Sequence, residues 1–516
     1  MIALFAALLL LFAESSFALE LTEYRRESTS YTSSASWTAA GNILTTTESG
    51  ERVAYQGLRK SGSPWESGTV RKFATDDVSA DDLVWNSSLS QPRKILVAPM
   101  EDGVPTAGAL TEIDEADAGF FECDEEEWSG LVDWLEEKSF GAPFPSSMVL
   151  VGKRLFVQTD DGLVDCVDAD KGSVEWGFMP PQACAGRIKA AYAASSKGSV
   201  PWLLAGAMTA EDVEYEGEER TFLWGTLGKA GRGLWCLDVT DDVPSFVWAF
   251  EDGEDGAAWG NAEDGDVLGR SAAAPLVYSY GSGYYLAVPD GEDEDGNLLV
   301  YGALDGGLVD VCEGDGAELV FSPLGLADSD GGLVRVVLCD ADGGAQVFER
   351  DGKAFVLERR LDFAELTSYD GLEWACSPVA CSISRGLWLA FVGECDGDTV
   401  VAAGASPLDG LDWSLAPWRG SGWGWWQVCE GFSDVIYVLY YDGCLYMLGT
   451  EDGSRVVKVI DMTPGKLVST KSVGDGASAL AVSDGSVVAL GDDLSVVSVG
   501  SGSGVPSSAI LYTLYR

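Results

Sequence analysis

The sequence predicts an all-β fold, a modified β-propeller of about seven blades with loop insertions and one short helix. Three features favour it: a hairpin motif that recurs along the chain, turns built from Asp and Gly, and tryptophans that end hairpin strands at like positions. Alternating strands joined by tight Asp-Gly turns are typical of antiparallel hairpins. Repeats spaced roughly 40 to 70 residues apart match one four-stranded blade each.

The repeated hairpins set the architecture. Trp176 and Trp248 end the second strands of two of them, and tryptophans at such positions pack between neighbouring blades. A β-sandwich array is the alternative, but it does not explain one motif that recurs with its tryptophan. The predicted hairpins lie at 161–176, 232–248, 295–311, 342–358, 385–401, 442–459 and 484–499.

Helical periodicity is confined to one segment, EEEWSGLVDWLEEK at 125–138. There Trp128, Leu131, Trp134 and Leu135 recur at the spacing that places them on one face of an α-helix. This segment is the predicted short helix.

The charge balance excludes whole classes of partner. The chain has 32 Lys and Arg against 83 Asp and Glu, a net charge of −51. Binding to a nucleic-acid backbone needs basic residues that displace counterions, and an anionic membrane surface repels such a chain. We therefore expect neither nucleic acid nor an anionic membrane as partner.

The N-terminus reads as an export signal. An apolar run followed by Ser16, Phe17 and Ala18 has the form of a signal peptide at 1–18, although no Lys or Arg precedes it. An exposed Ser/Thr-rich lead-in is predicted at 19–36 and the propeller at 37–500. No later segment has the ~20 apolar residues of a membrane span. The tail at 501–516 ends in a strand that either closes the ring or reaches a partner by strand addition.

Residue types narrow the chemistry further. The chain has no histidine, which excludes catalytic pairs and metal sites that need imidazole. Among its 11 cysteines, Cys376 and Cys381 are the closest pair and the candidate disulfide. Cys166 and Cys236 stand in similar strands, and we expect most of the cysteines to be buried core thiols.

Five segments of the chain carry a family likeness: 37–50 with 85–96, 140–181, 220–241, 271–307 and 326–349. The segment at 220–241 is the most specific, and in it Gly228, Gly231, Arg232, Gly233 and Asp238 carry the likeness. In this order the segments resemble the PilY family of type IV pilus tip-associated adhesins and biogenesis factors. The expected role of these five residues is blade structure, with Arg232 paired to Asp238 or to an acid of a neighbouring blade.

The resemblance implies a non-enzymatic propeller outside the cell, at the cell surface or at a pilus tip. It would act in pilus assembly, in opposing retraction and in adhesion, with minor pilins, the pilus fibre and a surface receptor as partners. The alternative is a secreted propeller scaffold or adhesin unconnected to pili. Quinone-dependent dehydrogenases share the turn DADKGSVEW at 168–176, but the adjacent cysteines with which many of them clasp the quinone are missing.

The resemblance also implies calcium, the only cofactor expected. The family's calcium loop corresponds to ADSDGG, where Asp328 and Asp330 are the two carboxylates and Leu326 and Val334 stand where relatives usually have Asp. Calcium takes six to eight oxygen ligands, so we expect weak binding, or else a plain hairpin turn. The acidic segments at 251–266 and 289–297 are expected to be solvated loops.

A tryptophan cluster in a Gly-rich segment is the candidate partner-binding site. Exposed indole rings offer a flat surface for a sugar or a protein. Packing between blades is the alternative. The cluster consists of Trp418, Trp423, Trp425 and Trp426.

Overall fold

The protein is a β-propeller, with 58% of the chain in strands and 9% in helices. The computed structural model describes much of the chain from residue 22 to residue 512, with gaps. The described residues are 22–23, 36–38, 41–48, 51–59, 68–74, 83–90, 92–184, 186–195, 201–252, 257–262, 268–291, 295–327, 332–367, 369, 371–383, 386–405, 424–483, 486–491, 496–501 and 510–512.

The strands form antiparallel sheets that follow one another along the chain, numbered here in that order. Sheet 1 contains Ser36–Thr38, Gly41–Glu48, Glu51–Arg59, Gly68–Ala74 and Leu83–Asn86. Sheet 2 contains Pro143–Val151, Arg154–Thr159, Val164–Asp168 and Ser173–Met179, with Ser88–Leu89, Ile95–Val97 and Thr111–Glu112 added outside them. Sheet 3 contains Met208–Tyr215, Glu218–Thr226, Gly233–Asp238 and Ser245–Glu251, with Gly108–Ala109 and Ala257–Gly260 added. Sheet 4 contains Leu276–Tyr280, Gly283–Pro289, Leu298–Gly302 and Leu308–Cys312.

The second half of the chain repeats this plan. Sheet 5 contains Leu319–Ala327, Leu333–Asp340, Gly344–Asp351 and Ala354–Asp362, with Thr22–Glu23 added. Sheet 6 contains Glu373–Trp374, Val379–Ile383, Gly386–Cys395, Asp398–Ala405 and Gly424–Cys429. Sheet 7 contains Phe432–Tyr441, Cys444–Glu451, Ser454–Asp461 and Lys466–Ser472, with Ile510–Tyr512 added. Sheet 8 contains Ala477–Ser483, Ser486–Gly491 and Val496–Ser501, and a separate ribbon pairs Met100–Glu101 with Val104–Pro105.

The predicted hairpins are all present as antiparallel strand pairs. Seven sheets have four or more strands in the described part of the chain, and sheet 8 has three. The exact number of blades stays a prediction, as do the domain boundaries. The predicted signal at 1–18 lies outside the described residues.

The first and last described strands are both held in sheets. Thr22–Glu23 pairs with Leu319–Ala327 of sheet 5, and Ile510–Tyr512, from the predicted C-terminal tail, pairs with Phe432–Tyr441 of sheet 7. Strand Ala477–Ser483 of sheet 8 contacts sheet 1, so the first and last sheets are neighbours. The role of the C-terminal strand, in closing the ring or in reaching a partner, stays a prediction.

The core consists of apolar layers between adjacent sheets. In sheet 4, Leu298 and Val300 pack toward sheet 5, whereas Leu299 and Tyr301 pack toward sheet 3. Because successive strand residues point to opposite faces, a sheet between two neighbours buries both sets. The central strands are therefore apolar on both faces.

Tryptophans link successive sheets by hydrogen bonds as well as by packing. The indole Nε1 of a tryptophan in one sheet donates to a carbonyl in the turn between the third and fourth main strands of the next sheet. These bonds are Trp85 to Ala169, 2.9 Å, from sheet 1 to sheet 2; Trp248 to Ala303, 3.0 Å, from sheet 3 to sheet 4; and Trp425 to Met462, 3.0 Å, from sheet 6 to sheet 7.

A glycine completes each docking turn by leaving room for the indole ring. A Cβ on Gly172, Gly306 or Gly465 would lie 2.4, 2.8 or 2.1 Å from the ring that docks there. Each of these glycines also has a positive φ, of 74°, 65° and 63°, which disfavours other residues. The turn therefore requires glycine for two independent reasons.

The accepting carbonyl stands at a fixed distance from a β-bulge. In sheets 2, 4 and 7 the strand register shifts at Val167, Tyr301 and Ile460, each two residues before the accepting carbonyl. Sheet 3 has the same shift at Leu237, so Val239 is the equivalent position. Its carbonyl accepts from Arg154 of sheet 2 instead of from an indole.

The prediction that Trp176 and Trp248 pack between blades is confirmed. Trp176 lies in the layer between sheets 2 and 3, and Trp248 in the layer between sheets 3 and 4. The two differ in one respect. Trp176 Nε1 is buried without a hydrogen-bond partner among the described residues, because Arg154 takes the carbonyl of Val239.

The predicted helix is present as α1, Glu125–Glu137, and begins at Asp124 with a capping box to Glu127. The described part of the chain holds three further helices that were not predicted: α2, Pro181–Cys184; α3, Arg187–Ser195; and α4, Phe363–Thr367. A 3-10 turn spans Ile113–Glu115. The missed helices are short and alanine-rich or follow a strand directly, so their apolar residues do not complete a helical period.

The cysteines are free thiols, and eight of the 11 are buried. The expectation that most are core residues is confirmed by Cys166 and Cys236, which are fully buried in sheets 2 and 3. The predicted Cys376–Cys381 bond is absent. Cys381 lies in a strand, and its thiol contacts the carbonyl of Val379 at 3.6 Å.

Replacing each tryptophan by phenylalanine separates packing from hydrogen bonding. Trp248→Phe removes ring volume and the bond to Ala303, whereas Trp176→Phe removes ring volume alone. We expect Trp248→Phe to lower the free energy of unfolding by about 0.5–1.5 kcal/mol more than Trp176→Phe, the net value of one hydrogen bond. Urea unfolding followed by circular dichroism measures both. Equal losses would contradict the role given to the indole donor.

Candidate functional site

A buried ionic cluster joins the segment before sheet 2 to the sheet itself. The guanidinium of Arg93 donates to Asp161 at 3.0 Å and to both carboxylate oxygens of Asp165 at 2.6 Å. Thr159 donates to Asp161 at 2.6 Å, and the three charged side chains are at most 1% exposed. Fixed and closed to solvent, this cluster has a structural role.

Within the cluster, the opposite charges of Arg93 and its two aspartates oppose the effect of burial on their pKa values. Burial alone lowers the pKa of Arg93, but Asp165 and Asp161 outweigh it and hold that pKa above its ordinary value. Burial raises the pKa of Asp165 to about 6, against the opposing effect of Arg93. Arg93 is thus the buried cation that opposes the effect of burial on the pKa of Asp165.

The glycine-rich loop of the 220–241 segment is held from both sides. The Gly228 amide donates to the carbonyl of Ser271 at 3.2 Å, and a Cβ on Gly228 would lie 2.2 Å from the Ala205 oxygen. Arg187 of α3 covers the loop: it donates to Ala230 at 3.0 Å and pairs with Glu251. Burial, together with a neighbouring arginine, lowers the pKa of Arg187.

The expected pairing of Arg232 with Asp238 is wrong. Asp238 accepts from Arg220 at 3.1 Å, across two neighbouring strands of sheet 3. Arg232 is exposed, and its backbone carbonyl accepts from Asp252. Phe222 stands opposite Asp238 in the register, and Arg220 lies two residues before Phe222 on the same face of its strand, which is a diagonal position within reach of Asp238.

The predicted calcium loop falls, in sequence, between two strands of sheet 5. Asp328 and Asp330 fall outside the described residues, and the strands Leu319–Ala327 and Leu333–Asp340 on either side of them pair antiparallel. Leu326 is a buried ladder residue in register with Arg335. Among the described residues, no group of three carboxylate, thiol or imidazole side chains could hold a metal ion.

The predicted tryptophan cluster is only partly described. Trp418 and Trp423 lie outside the described residues. Trp425 is half-buried and docks on sheet 7 through Met462 and Gly465. Trp426 is also half-buried and packs in the layer between sheets 5 and 6, with Tyr369 at 5.7 Å. Both described rings serve blade packing, and a partner-binding role for the cluster stays a prediction.

A surface aromatic pair on the helices of sheet 2 was not predicted. Trp134 of α1 and Tyr192 of α3 lie 5.1 Å apart between ring centroids, and Lys138 stands 4.5 Å from the Trp134 ring. Tyr192 is 36% exposed, while Leu131 and Leu135 of α1 are buried beneath. We call Trp134, Tyr192 and the outer side of α1 the aromatic face.

The aromatic face is strongly acidic. Asp124, the first-turn residues Glu125 and Glu126, and Asp133 are exposed around Trp134. The ion pair of Lys189 with Glu127, 2.8 Å, ties the two helices together. Aromatic rings beside carboxylates are suited to bind a cationic side chain, through both charge and the ring face.

Comparison with known proteins agrees with the predicted resemblance. No protein-family model matches the chain. The chain is similar to the type IV pilus biogenesis factor PilY1 of Pseudomonas aeruginosa strain UCBPP-PA14, 28% identical over 152 residues, which are 28% of this chain. It is also similar to the PilY1 homolog of Xylella fastidiosa strain Temecula1, 27% identical over 158 residues, or 30% of this chain. The matched segment is 12% of the length of each relative.

Solved structures give similar folds at low identity. The C-terminal domain of Pseudomonas aeruginosa PilY1 matches 75% of this chain and 96% of its own length, at 16% identity and a TM-score of 0.49. BamB from Moraxella catarrhalis matches 93% of this chain and 98% of its own length, at 13% identity and a TM-score of 0.34. The quinohemoprotein alcohol dehydrogenase of Comamonas testosteroni matches 94% of this chain and 70% of its own, at 11% identity and a TM-score of 0.37. The predicted likeness to PilY-type proteins is confirmed by the two sequence relatives.

Removing the cation of the buried cluster tests its role. Arg93→Met leaves Asp161 and Asp165 buried without their counter-ion, so we expect a loss of about 3–5 kcal/mol in the free energy of unfolding near neutral pH. Without Arg93 the folded-state carboxyl pKa lies further above its unfolded value. The defect should therefore shrink as pH falls through the carboxyl pKa and grow as pH rises.

Urea unfolding at about pH 5 and about pH 8 measures this dependence, since the buried carboxyl titrates between these values. The control is Arg93→Met combined with Asp161→Asn and Asp165→Asn, in which no uncompensated charge remains. A triple variant as unstable as Arg93→Met at both pH values would assign the loss to packing instead of charge.

Proposed function

We propose that the protein is a non-enzymatic, extracellular β-propeller that acts at the tip or in the assembly of a type IV pilus. The observation that carries the proposal is the match to PilY1, a type IV pilus biogenesis factor, at 28% identity over 152 residues. The order of the five family-like segments along the propeller supports it. The proposed partners are minor pilins, the pilus fibre and a surface receptor.

Binding is the activity that the described residues support. Their charged clusters are paired and structural, as at Arg93 and Arg187. The turn shared with quinone-dependent dehydrogenases, at 168–176, docks a tryptophan of sheet 1. We therefore assign it to packing, and we propose Asp328 and Asp330 as a weak calcium site that stabilises a hairpin tip.

Electron microscopy of the native host tests the pilus role. Immunogold label raised against the propeller should lie at the ends of surface filaments, and deletion of the gene should reduce piliation. The proposed reason is that the propeller caps or initiates the fibre. Label spread over the cell or the medium, with normal piliation after deletion, would leave the alternative of a secreted scaffold or adhesin without a pilus role.

We place the pilus contact on the aromatic face, with a positively charged segment of a pilus subunit as its occupant. The face combines exposed aromatic area with uncompensated acidic charge on a chain of net charge −51. Glu126 and Asp133 are seven residues apart on α1, about two turns, so they lie on one side of the helix. Complementary charge favours association with a basic partner.

Substitutions on the aromatic face should remove the protein from filament ends while it still folds. In Tyr192→Ala with Glu126→Gln and Asp133→Asn, we expect at least a fivefold drop in the fraction of filament ends that carry label. The matched control, Tyr280→Ala with Glu313→Gln and Asp351→Asn, makes the same change in charge and aromatic area on sheets 4 and 5. Equal labelling of both variants would remove the aromatic face from the proposal.

A further inference from the structure

The outer strand of sheet 7, Lys466–Ser472, is exposed over nearly its whole length. Six of its seven residues are exposed, and Leu467 is half-buried. The outer strands of sheets 2 and 3, Ser173–Met179 and Ser245–Glu251, are in contrast mostly buried. Those of sheets 4, 5 and 6 are mostly half-buried or buried. We call Lys466–Ser472 the open edge strand.

The open edge strand is exposed because its neighbour, sheet 8, has three strands in the described part of the chain. Ser469 stands opposite Val459, the residue before the bulge of sheet 7. At the same position sheets 2 and 3 carry Trp176 and Trp248, which pack on the next sheet. Sheet 8 offers no such packing surface among the described residues, and a small, exposed serine takes the position of the tryptophan.

The outer edge of this strand carries backbone groups that no described strand uses. The open edge strand is the last in the order of sheet 7 and pairs only with Ser454–Asp461. The amide of Val473 donates to the carbonyl of Arg455 at 3.0 Å, so these two residues form a hydrogen-bonded pair. Such pairs alternate along an antiparallel ladder, which turns the N–H and C=O groups of Thr470 and Ser472 away from the sheet.

Two other sheets of the chain accept added strands on their outer edges. Ile95–Val97 pairs in parallel with the outer strand of sheet 2, and Gly108–Ala109 and Ala257–Gly260 pair with that of sheet 3. In each case the added strand belongs to a connecting segment and not to the main strands of the sheet. The outer edges of these blades are thus suited to strand addition, in which the backbone supplies affinity and side chains supply specificity.

The charge of the open edge strand favours an acidic occupant. Its two charged residues are Lys466 and Lys471, whereas the whole chain has 83 Asp and Glu against 32 Lys and Arg. An acidic segment is repelled by most of so acidic a surface, and two lysines on one strand define where it can approach. The same lysines oppose pairing with a second copy of this strand, because like charges would come together.

We propose that the open edge strand is a docking site for an extended, acidic segment of a partner protein, which pairs with its outer edge. The segment forms main-chain hydrogen bonds with Thr470 and Ser472, and its carboxylates lie beside Lys466 and Lys471. The site is separate from the aromatic face on sheet 2, which takes a basic segment.

A synthetic peptide tests the site on the full chain. The probe alternates Glu and Val over seven residues, the length of the open edge strand, and its control has Lys in place of Glu. Fluorescence anisotropy measures affinity, and amide hydrogen exchange followed by mass spectrometry locates the bound probe. We expect the Glu peptide to slow exchange in the open edge strand and the Lys peptide to bind at least about tenfold more weakly.

A proline variant tests whether the probe adds as a strand. Thr470→Pro removes an N–H that points away from the sheet, so the strand keeps its own ladder and loses a donor for the added strand. Thr470→Ala keeps this donor and is the matched control. We expect binding of the Glu peptide to weaken about tenfold in Thr470→Pro and less than about twofold in Thr470→Ala. Equal affinities, or slowed exchange only in other segments, would overturn the proposal.

A charge reversal decides the matter if Thr470→Pro does not fold. Lys466→Glu with Lys471→Glu should weaken binding of the Glu peptide about tenfold and favour the Lys peptide. Lys229→Glu with Lys353→Glu makes the same change in net charge at exposed lysines of sheets 3 and 5, and should bind as the wild type does. Equal binding by the two double variants, or no binding of the Glu peptide to the wild type, would rule out the site. None of these results depends on a role at the pilus.

Discussion

The architecture depends on one interaction, the docking of a donor side chain from one sheet on the turn between the third and fourth main strands of the next sheet. Trp85, Trp248 and Trp425 each place an indole against a glycine and donate to a carbonyl two residues after a β-bulge. The bulge turns that carbonyl out of the ladder, so it is available to the neighbouring sheet. Sheets that share no backbone ladder are thereby held in register by side chains.

Sheet 3 lacks the tryptophan contact, and it shows which parts of this docking interaction are common to all four sheets. Val239 occupies the carbonyl position, but the turn after it, Thr240 to Pro244, has no glycine to admit an indole. Arg154 of sheet 2 reaches the carbonyl instead, and Trp176 keeps only its packing role. The bulge and the outward carbonyl are thus common to sheets 2, 3, 4 and 7. The side chain that donates to the carbonyl is either a tryptophan indole or, in sheet 3, the guanidinium of Arg154.

The sequence predicts local structure well because hairpins and their turns are encoded within about 20 residues. The same reasoning could identify Trp176 and Trp248 as packing residues. It could not pair Arg93 with Asp161 and Asp165, or Trp134 with Tyr192. These contacts join residues far apart in the chain, as far as the 72 positions between Arg93 and Asp165, and only the order and spacing of sheets bring them together. The predicted Cys376–Cys381 bond is absent although both side chains pack in one layer, because nearness in sequence does not set the geometry that a disulfide needs.

The acidic composition has a structural explanation in the turns. Asp168 and Asp340 accept backbone N–H groups of their own turns, and Asp340 also pairs with Arg360 at 2.7 Å. Side-chain capping of this kind competes well with water because it satisfies donors that the ladder leaves free.

A sheet with neighbours on both sides buries both of its faces, and packing fixes the residues on them. A surface for partners therefore has to lie outside the blades. The helices on sheet 2 meet that requirement, because they bury one side on the propeller and leave acidic and aromatic side chains on the other.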